Sequence, residues 1–408
     1  MFPLHKSGAL QLLQGGREFF PALVTALDAA HTWIQLETYI FDFHGAGAEV
    51  AEALVRAARR GVTVQVLVDG IGTSPLPAEW REKFAAAQVD WFVYSPLGTG
   101  LSGLGLLVPE RWRRLHRKLC VVDQHTLFCG GINVLDDFYD PNHGELQAPR
   151  VDFAVVVTGP LALEAADAMA LLWWRVQAGY SARQRHLAAA WERFKEAGYG
   201  GRTGTVPLAA ANGTGAAGPK AALILRDNLR NRSSIERAYR RAIGKAHREI
   251  IIANAYFLPG GKLRRALIGA AKRGVRVTLL LQGRYEYFMQ YHAARPVYGA
   301  LLEAGVEIHE YEAGFLHAKV AVVDGHWATV GSSNLDPLSL LLAREANVVV
   351  EDKAFAESLA GILREAMVNQ GRRMEPADHS HRPFGQRLRG WIAYALVRLA
   401  LLVAGQRY

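Results

Sequence analysis

The chain repeats itself once, and this constrains its fold more than any other feature. Leu115 to Asp123 reads LHRKLCVVD, and Leu316 to Asp324 reads LHAKVAVVD. Upstream, AARRGVTVQVLVDG (Ala57 to Gly70) matches AAKRGVRVTLLLQG (Ala270 to Gly283). Each carries a helical pattern to basic residues, stops it with glycine and enters an alternating Val/Leu strand. Ile34 to Tyr39 (IQLETY) matches Ile251 to Tyr256 (IIANAY), and Val89 to Tyr94 matches Val306 to Tyr311. The order within each half is strand, helix, strand, helix, strand. That alternation predicts an α/β protein of two pseudo-symmetric domains, each a parallel or mixed sheet flanked by helices.

Composition marks the boundaries. Residues 1–197 form the first domain. Residues 198–219, with Gly-Tyr-Gly-Gly-Arg-Thr-Gly and Asn-Gly-Thr-Gly-Ala-Ala-Gly-Pro, carry no apolar periodicity and read as a linker. Residues 220–370 form the second domain, opened by a strand at Ala221 to Leu225 and a helix starting at Ser233-Ser234-Ile235-Glu236. Residues 371–408 are a basic amphipathic tail.

Half of the 408 residues are hydrophobic, enough to build two cores. The formal charge of +9 favours a phosphate-bearing partner, nucleic acid or an anionic membrane. The two cysteines, Cys120 and Cys129, lie in apolar runs and read as buried thiols, with no disulfide framework and a reducing compartment implied. Met1 to Gly16 lacks the pattern of a signal peptide. No apolar run reaches the ~20 residues of a spanning helix; Trp391 to Gly405 is shorter and carries Arg398 in its middle.

The chemistry sits in the repeat. The first half supplies His116, Lys118, Asp123, Gly130-Gly131 and Asn133; the second supplies His317, Lys319, Asp324, Gly331-Ser332 and Asn334. Histidine and lysine two apart on a strand share a side. Lysines and asparagines neutralise a phosphodiester, and two imidazoles supply a nucleophile and an opposed proton donor. The glycines are expected to let backbone approach a bound molecule. Asp152 and Glu345 open matching apolar strands, DFAVVV and EANVVV, and are expected to orient the imidazoles. Asp123 and Asp324 follow their strands at turns, where aspartate makes local hydrogen bonds, and read as supports. Tyr39 and Tyr256 end the repeated strands as lining residues.

Two copies of HxKxxxxD, each followed by GG or GS and then Asn, resemble the phospholipase D superfamily. The likeness runs from Gln11 to about Asn369 and is carried by LLQGGREFFPAL, RRLHRKLCVVD, IIIANAYFLPG, HWATVGSSNLDPLSL and EANVVV. It is a likeness to the bacterial cardiolipin synthases of the B type, which also lack spanning helices at the start. The resemblance implies one active site shared at the domain interface, no metal and no cofactor. It implies His116, Lys118, Asp123, His317, Lys319 and Asp324 as the catalytic set. A phosphatidyl group of phosphatidylglycerol would move through a phosphohistidine, with His116 as nucleophile and His317 as acid and base. The partners implied are phosphatidylglycerol and the anionic cytoplasmic face of the cell membrane, held peripherally, and no nucleic acid. Oligomeric state is not readable.

Membrane contact is expected at two places. Leu97 to Val108 (LGTGLSGLGLLV), followed by RWRR at 111–114, suits a dipping loop or a plain surface loop. In the tail, Trp391, Leu396, Leu399 and Leu402 would insert while Arg387, Arg389 and Arg398 stay wet, unless the helix packs on the core instead. Tyr285, Tyr287, Phe288 and Tyr291 suit an acyl groove or an ordinary amphipathic helix. Two other readings compete: a phosphodiesterase or nuclease of the same superfamily using water, and a non-catalytic scaffold.

Overall fold

The structure, a computed structural model, describes residues 4–95, 113–141, 143–183, 218–227, 231–284, 288–336, 343–376 and 384–403. Most of the linker, the loop Leu97 to Val108, and Tyr285 and Tyr287 lie outside the described residues.

Two mixed sheets carry the two halves. The first runs β2 (Leu10–Gln14), β11 (Phe153–Thr158), β8 (Thr126–Gly130), β7 (Leu119–Val122), β3 (Trp33–Thr38), β4 (Thr63–Asp69) and β5 (Asp90–Tyr94). The second runs β1 (His5–Lys6), β12 (Lys220–Arg226), β18 (Ala343–Glu351), β17 (Trp327–Gly331), β16 (Lys319–Val323), β13 (Glu249–Asn254), β14 (Arg276–Gln282), β15 (Glu307–Tyr311) and β19 (Gly371–Arg373). A short β6 (Arg114–Leu115) adds to β18, and β9 (Tyr139–Asp140) pairs with β10 (Gly144–Glu145). In each half three strands are parallel, β3-β4-β5 and β13-β14-β15, and the motif strands join them antiparallel. The parallel strands need crossovers, which α2 (Ala46–Arg59), α3 (Ala78–Ala87), α6 (Gly261–Lys272) and α7 (Phe288–Leu302) supply.

The sheets pack face to face. Leu119, Val121, Leu127, Phe153 and Val155 of one meet Val320, Val322, Val330, Ala346 and Val348 of the other. The flanking α4 (Pro160–Arg183) and α8 (Lys353–Gln370) seal this middle layer. The alternate residues of β7, Cys120 and Val122, turn outward under α2, α3 and α1 (Gly15–Asp28). The outer face of the second sheet is covered by α5 (Ser234–Lys245), α6 and α7. Both cysteines are buried free thiols, pushed up to about 12 by burial.

Pairing to the motif strands corrects one match made from the sequence. Ile34 faces Val122 and Ile250 faces Val323. Tyr39 therefore corresponds to Ala255 rather than to Tyr256, one residue from the sequence match. The apolar run Ile250-Ile251-Ile252 looks the same after a slip of one, and only the partner strand fixes which residues face which side.

The tail forms α9 (Phe384–Val403), which lies along α7. Gly390 and Ala393 are buried against the second core and Tyr394 packs on it. Leu388, Trp391, Ile392 and Leu396 form an exposed stripe, with Trp391 57% exposed.

Candidate active site

Each half lends a strand to the other where the motifs begin. β6 pairs in parallel with the start of β18, and the His116 amide donates to Arg344 O at 3.0 Å. In the matching place Val151 bridges Leu316, and the His317 amide donates to Val151 O at 2.8 Å. These crossings bring each motif histidine beside the other half's carboxylate. His116 Nδ1 lies 3.0 and 3.1 Å from the two oxygens of Glu345. His317 Nδ1 lies 2.6 Å from Asp152 Oδ2. A carboxylate accepts, so each ring directs Nδ1 at its carboxylate and leaves Nε2 as the atom that attacks or exchanges a proton.

The loops before the histidines are pinned alike. Asp69, at the end of β4, accepts from the Leu115 amide at 2.8 Å. Gln282, at the end of β14, accepts from the Leu316 amide at 3.2 Å. These two residues were not singled out from the sequence. They close the matched segments VLVDG and LLLQG, so the repeat itself carried the signal.

Lys118 and Lys319 each bond the backbone oxygen of their own histidine, His116 O (2.8 Å) and His317 O respectively. Lys319 Nζ is 3.8 Å from Asp152 Oδ2, and Lys118 Nζ lies over the Tyr39 ring, whose centroid is 4.9 Å from that of His116. Tyr39 thus lines the site. Burial pushes the Lys118 ammonium down to about 7, with Glu345 opposing and Lys319 adding to the shift. Burial lowers His116, which the Glu345 charge partly offsets, and lowers His317 further, helped by Lys319, Lys118, Arg150 and His116. Burial pushes Asp152 up to about 7. These are strong mutual perturbations in one place, as a reactive site requires.

Asn133 Oδ1 accepts from the Ile40 amide at 3.2 Å, which commits its oxygen and leaves the NH2 group as donor. Asn334 is buried at the matching position, where the next residue, Leu335, bridges Phe257 as Val134 bridges Phe41.

Two expectations change. Asp123 and Asp324 stand apart from the histidines. Asp123 accepts from the amides of His31, Thr32 and Trp33 and from Thr32 Oγ1, at 2.8 to 2.9 Å, at the start of β3. Asp324 accepts from the amides of His247, Arg248 and Glu249 in the same way. Five residues of extended chain put them ~17 Å from the lysines. They hold strand ends together, the supporting role that turn chemistry suggests. The glycines also serve a different purpose. A Cβ at Gly131 would collide with both Asp152 oxygens, so the missing side chain makes room for the carboxylate rather than for a bound molecule. At the equivalent position Ser332 Oγ donates to Glu345 Oε2 at 2.5 Å, a contact that sequence reading did not find.

Two His/Lys sets from a repeated α/β fold, cross-paired to carboxylates around one pseudo-two-fold site, define a phospholipase D-type protein. The family model described as "Cardiolipin synthase, PLD-like domain" matches residues 23–144 and 239–367, and the chain belongs to that family. It is 35% identical over 393 residues to cardiolipin synthase B of Salmonella typhi, covering 95% of this chain and 87% of that protein. It is 38% identical over 354 residues to cardiolipin synthase B of Escherichia coli (strain K12), covering 86% and 78%. The phosphatidylserine synthase structure from Haemophilus influenzae Rd KW20 superimposes with a TM-score of 0.68, at 15% identity over 99% of this chain and 97% of that one, a likeness of fold.

Proposed function

We propose that the chain is a cardiolipin synthase that moves the phosphatidyl group of one phosphatidylglycerol onto a hydroxyl of another. The cross-paired dyads His116–Glu345 and His317–Asp152 carry this reading, with the lysines beside them to neutralise the phosphodiester. His116 Nε2 attacks phosphorus, and the departing glycerol oxygen takes a proton from His317. A hydroxyl of the second phosphatidylglycerol then gives its proton to His317 and attacks the phosphohistidine. Cardiolipin leaves, and His116 is regenerated. Asn133 and Asn334 donate to the phosphoryl oxygens. Kinship with the B-type synthases supports the acceptor.

The protein works from the membrane surface, on the cytoplasmic leaflet. No helix among the described residues is long and apolar enough to cross a membrane. α9 suits surface contact: its inner face seats on the second domain, and Leu388, Trp391, Ile392 and Leu396 offer an apolar stripe between exposed Arg389 and Arg398.

The test is a product assay on phosphatidylglycerol vesicles with wild type, His116→Ala and His317→Ala. Cardiolipin and free glycerol from the wild type alone are expected. Phosphatidic acid as the sole lipid product would replace this reading with a hydrolase, and no turnover would overturn it. A Trp391→Ser/Leu396→Ser variant should lose sedimentation with anionic vesicles yet keep its rate on detergent-dispersed lipid.

A further inference from the structure

A pseudo-symmetric site whose two histidines do different work needs something unequal around them. The fold supplies it at two matched positions. Position 131 is glycine where position 332 is serine, so Glu345 receives a hydroxyl donor and Asp152 has none there. The second pair lies on the neighbouring strands. β12 runs antiparallel to β18 with Arg226 facing Glu345. In the other half β2 runs antiparallel to β11 with Gln14 facing Phe153, so the partner of Asp152 is Gly15, which has no side chain. Directly opposed residues on antiparallel strands point to the same face. Arg226 is fully buried and donates through Nη1 to Ala343 O and through Nε to Arg232 O at 3.0 Å. It thereby also braces the segment Ala343–Glu345 on which His116 rests.

We propose that Arg226 and Ser332 are positioning residues that break the symmetry of the site, placing a guanidinium and a hydroxyl beside Glu345 where the Asp152 side has glycines, so that at neutral pH the His116–Glu345 dyad carries one proton fewer than the His317–Asp152 dyad. This rests on the two-histidine transfer proposed above and concerns the same site. A dyad with one proton, on Nδ1, offers a free Nε2 lone pair; a dyad with two can give one to a leaving oxygen. The groups acting on the Glu345 side are His116, Ser332, Arg226 and Lys118, with Asp336, Arg232 and Asp227 acting on Arg226. Those on the Asp152 side are His317, Lys319, Lys118 and Asp137, with Arg150 acting on His317. Asp137 brings a like charge to Asp152 where Arg226 brings an opposite one to Glu345. The elevation of Asp152 to about 7, chiefly by burial, agrees with a proton held there.

Both Arg226 and Ser332 oppose a second proton on the His116 dyad. Removing either lets that proton bind at higher pH, and a doubly protonated dyad cannot attack. In the full-length protein, the acid limb of the kcat/KM–pH profile for cardiolipin formation should therefore move upward. Arg226→Met should move it by about one unit or more, and Ser332→Ala by about half a unit. The basic limb stays where it is, and Arg226→Lys restores most of the acid limb. If Arg226→Met does not fold, Ser332→Ala decides. A lower rate with an unmoved acid limb in a folded Ser332→Ala variant would overturn the proposal and leave a structural role. Failure of the wild type to make cardiolipin would instead overturn the parent reading.

Discussion

Replacing Asp152 by asparagine changes one charge and almost no volume, yet it should silence one dyad. Asp152 Oδ1 accepts from the amide of Phe153 at 2.8 Å, and Oδ2 accepts from His317 Nδ1 at 2.6 Å. The Phe153 amide can only donate, so it claims the oxygen of an asparagine and turns the NH2 group toward His317. Two donors cannot face each other, and His317 moves its proton to Nε2. That nitrogen can then no longer take a proton from the attacking hydroxyl. The same substitution in a serine-protease triad costs about 10⁴-fold in kcat, which is about 5 kcal/mol on the barrier. We expect a loss of that order in cardiolipin formation from detergent-dispersed phosphatidylglycerol. The phosphohistidine should not accumulate, because a neutral His317 cannot give its one proton to the leaving glycerol without becoming an imidazolate, and mass spectrometry after an alkaline quench should find His116 unmodified. Stability should not follow activity. Burial raises Asp152 above its unfolded value, so its ionisation opposes folding increasingly from about pH 4 to above 7. Asparagine removes that opposition, and the variant should melt no lower than the wild type at pH 8. A rate within tenfold of wild type, or a large fall in melting temperature at pH 8, would refute the reasoning.

Gly131→Ala should push the Asp152 carboxylate off His317, because the added Cβ collides with both of its oxygens; a displacement of this kind costs about 100-fold in initial rate. Asp123→Ala removes the acceptor for three backbone amides and a threonine hydroxyl and should cost about 3 kcal/mol by urea denaturation, with kcat nearly unchanged. Burial opposes ionisation of Asp123, but the bonds from Trp33, His31 and Thr32 outweigh it and hold the carboxyl below its usual value, so this contribution is present above about pH 4 and fades as pH falls through the folded value. Arg117, between His116 and Lys118, faces the middle layer, where its guanidinium is 3.5 Å from buried Glu37. Arg117→Met should cost about 3–5 kcal/mol by leaving that carboxylate unpaired, and adding Glu37→Gln should restore part of the urea midpoint.

Much of this protein is written in short-range pattern. The period-2 runs of β7 and β16, the glycine stops before β4 and β14, and the spacing from His116 to Asn133 and from His317 to Asn334 are local properties of the chain. Because the pattern occurs twice, it also determines that two like sheets form and that two like sets of side chains exist. Asp123 and Asp324 were legible as supports from their place at a turn, but the amides they bind lie 75 to 92 residues upstream, and only the fold brings those to them.

What the chain could not state alone is which groups meet across it. His116 and Glu345 are 229 residues apart, and Asp152 and His317 are 165 apart. Their pairing follows from β6 joining β18 and Val151 joining Leu316, contacts that exist only once both sheets stack. The one-residue slip between β3 and β13 has the same origin, for an apolar run does not say which of its residues faces the partner strand. The inequality of the two dyads is likewise tertiary. Serine against glycine at 332 and 131 is visible in the sequence, but Arg226 against Gly15 is not, because only strand pairing makes those positions equivalent. Sequence periodicity determined the elements and the inventory of reactive groups; long-range packing, which alone sets distances between residues far apart in the chain, decided how those groups are coupled.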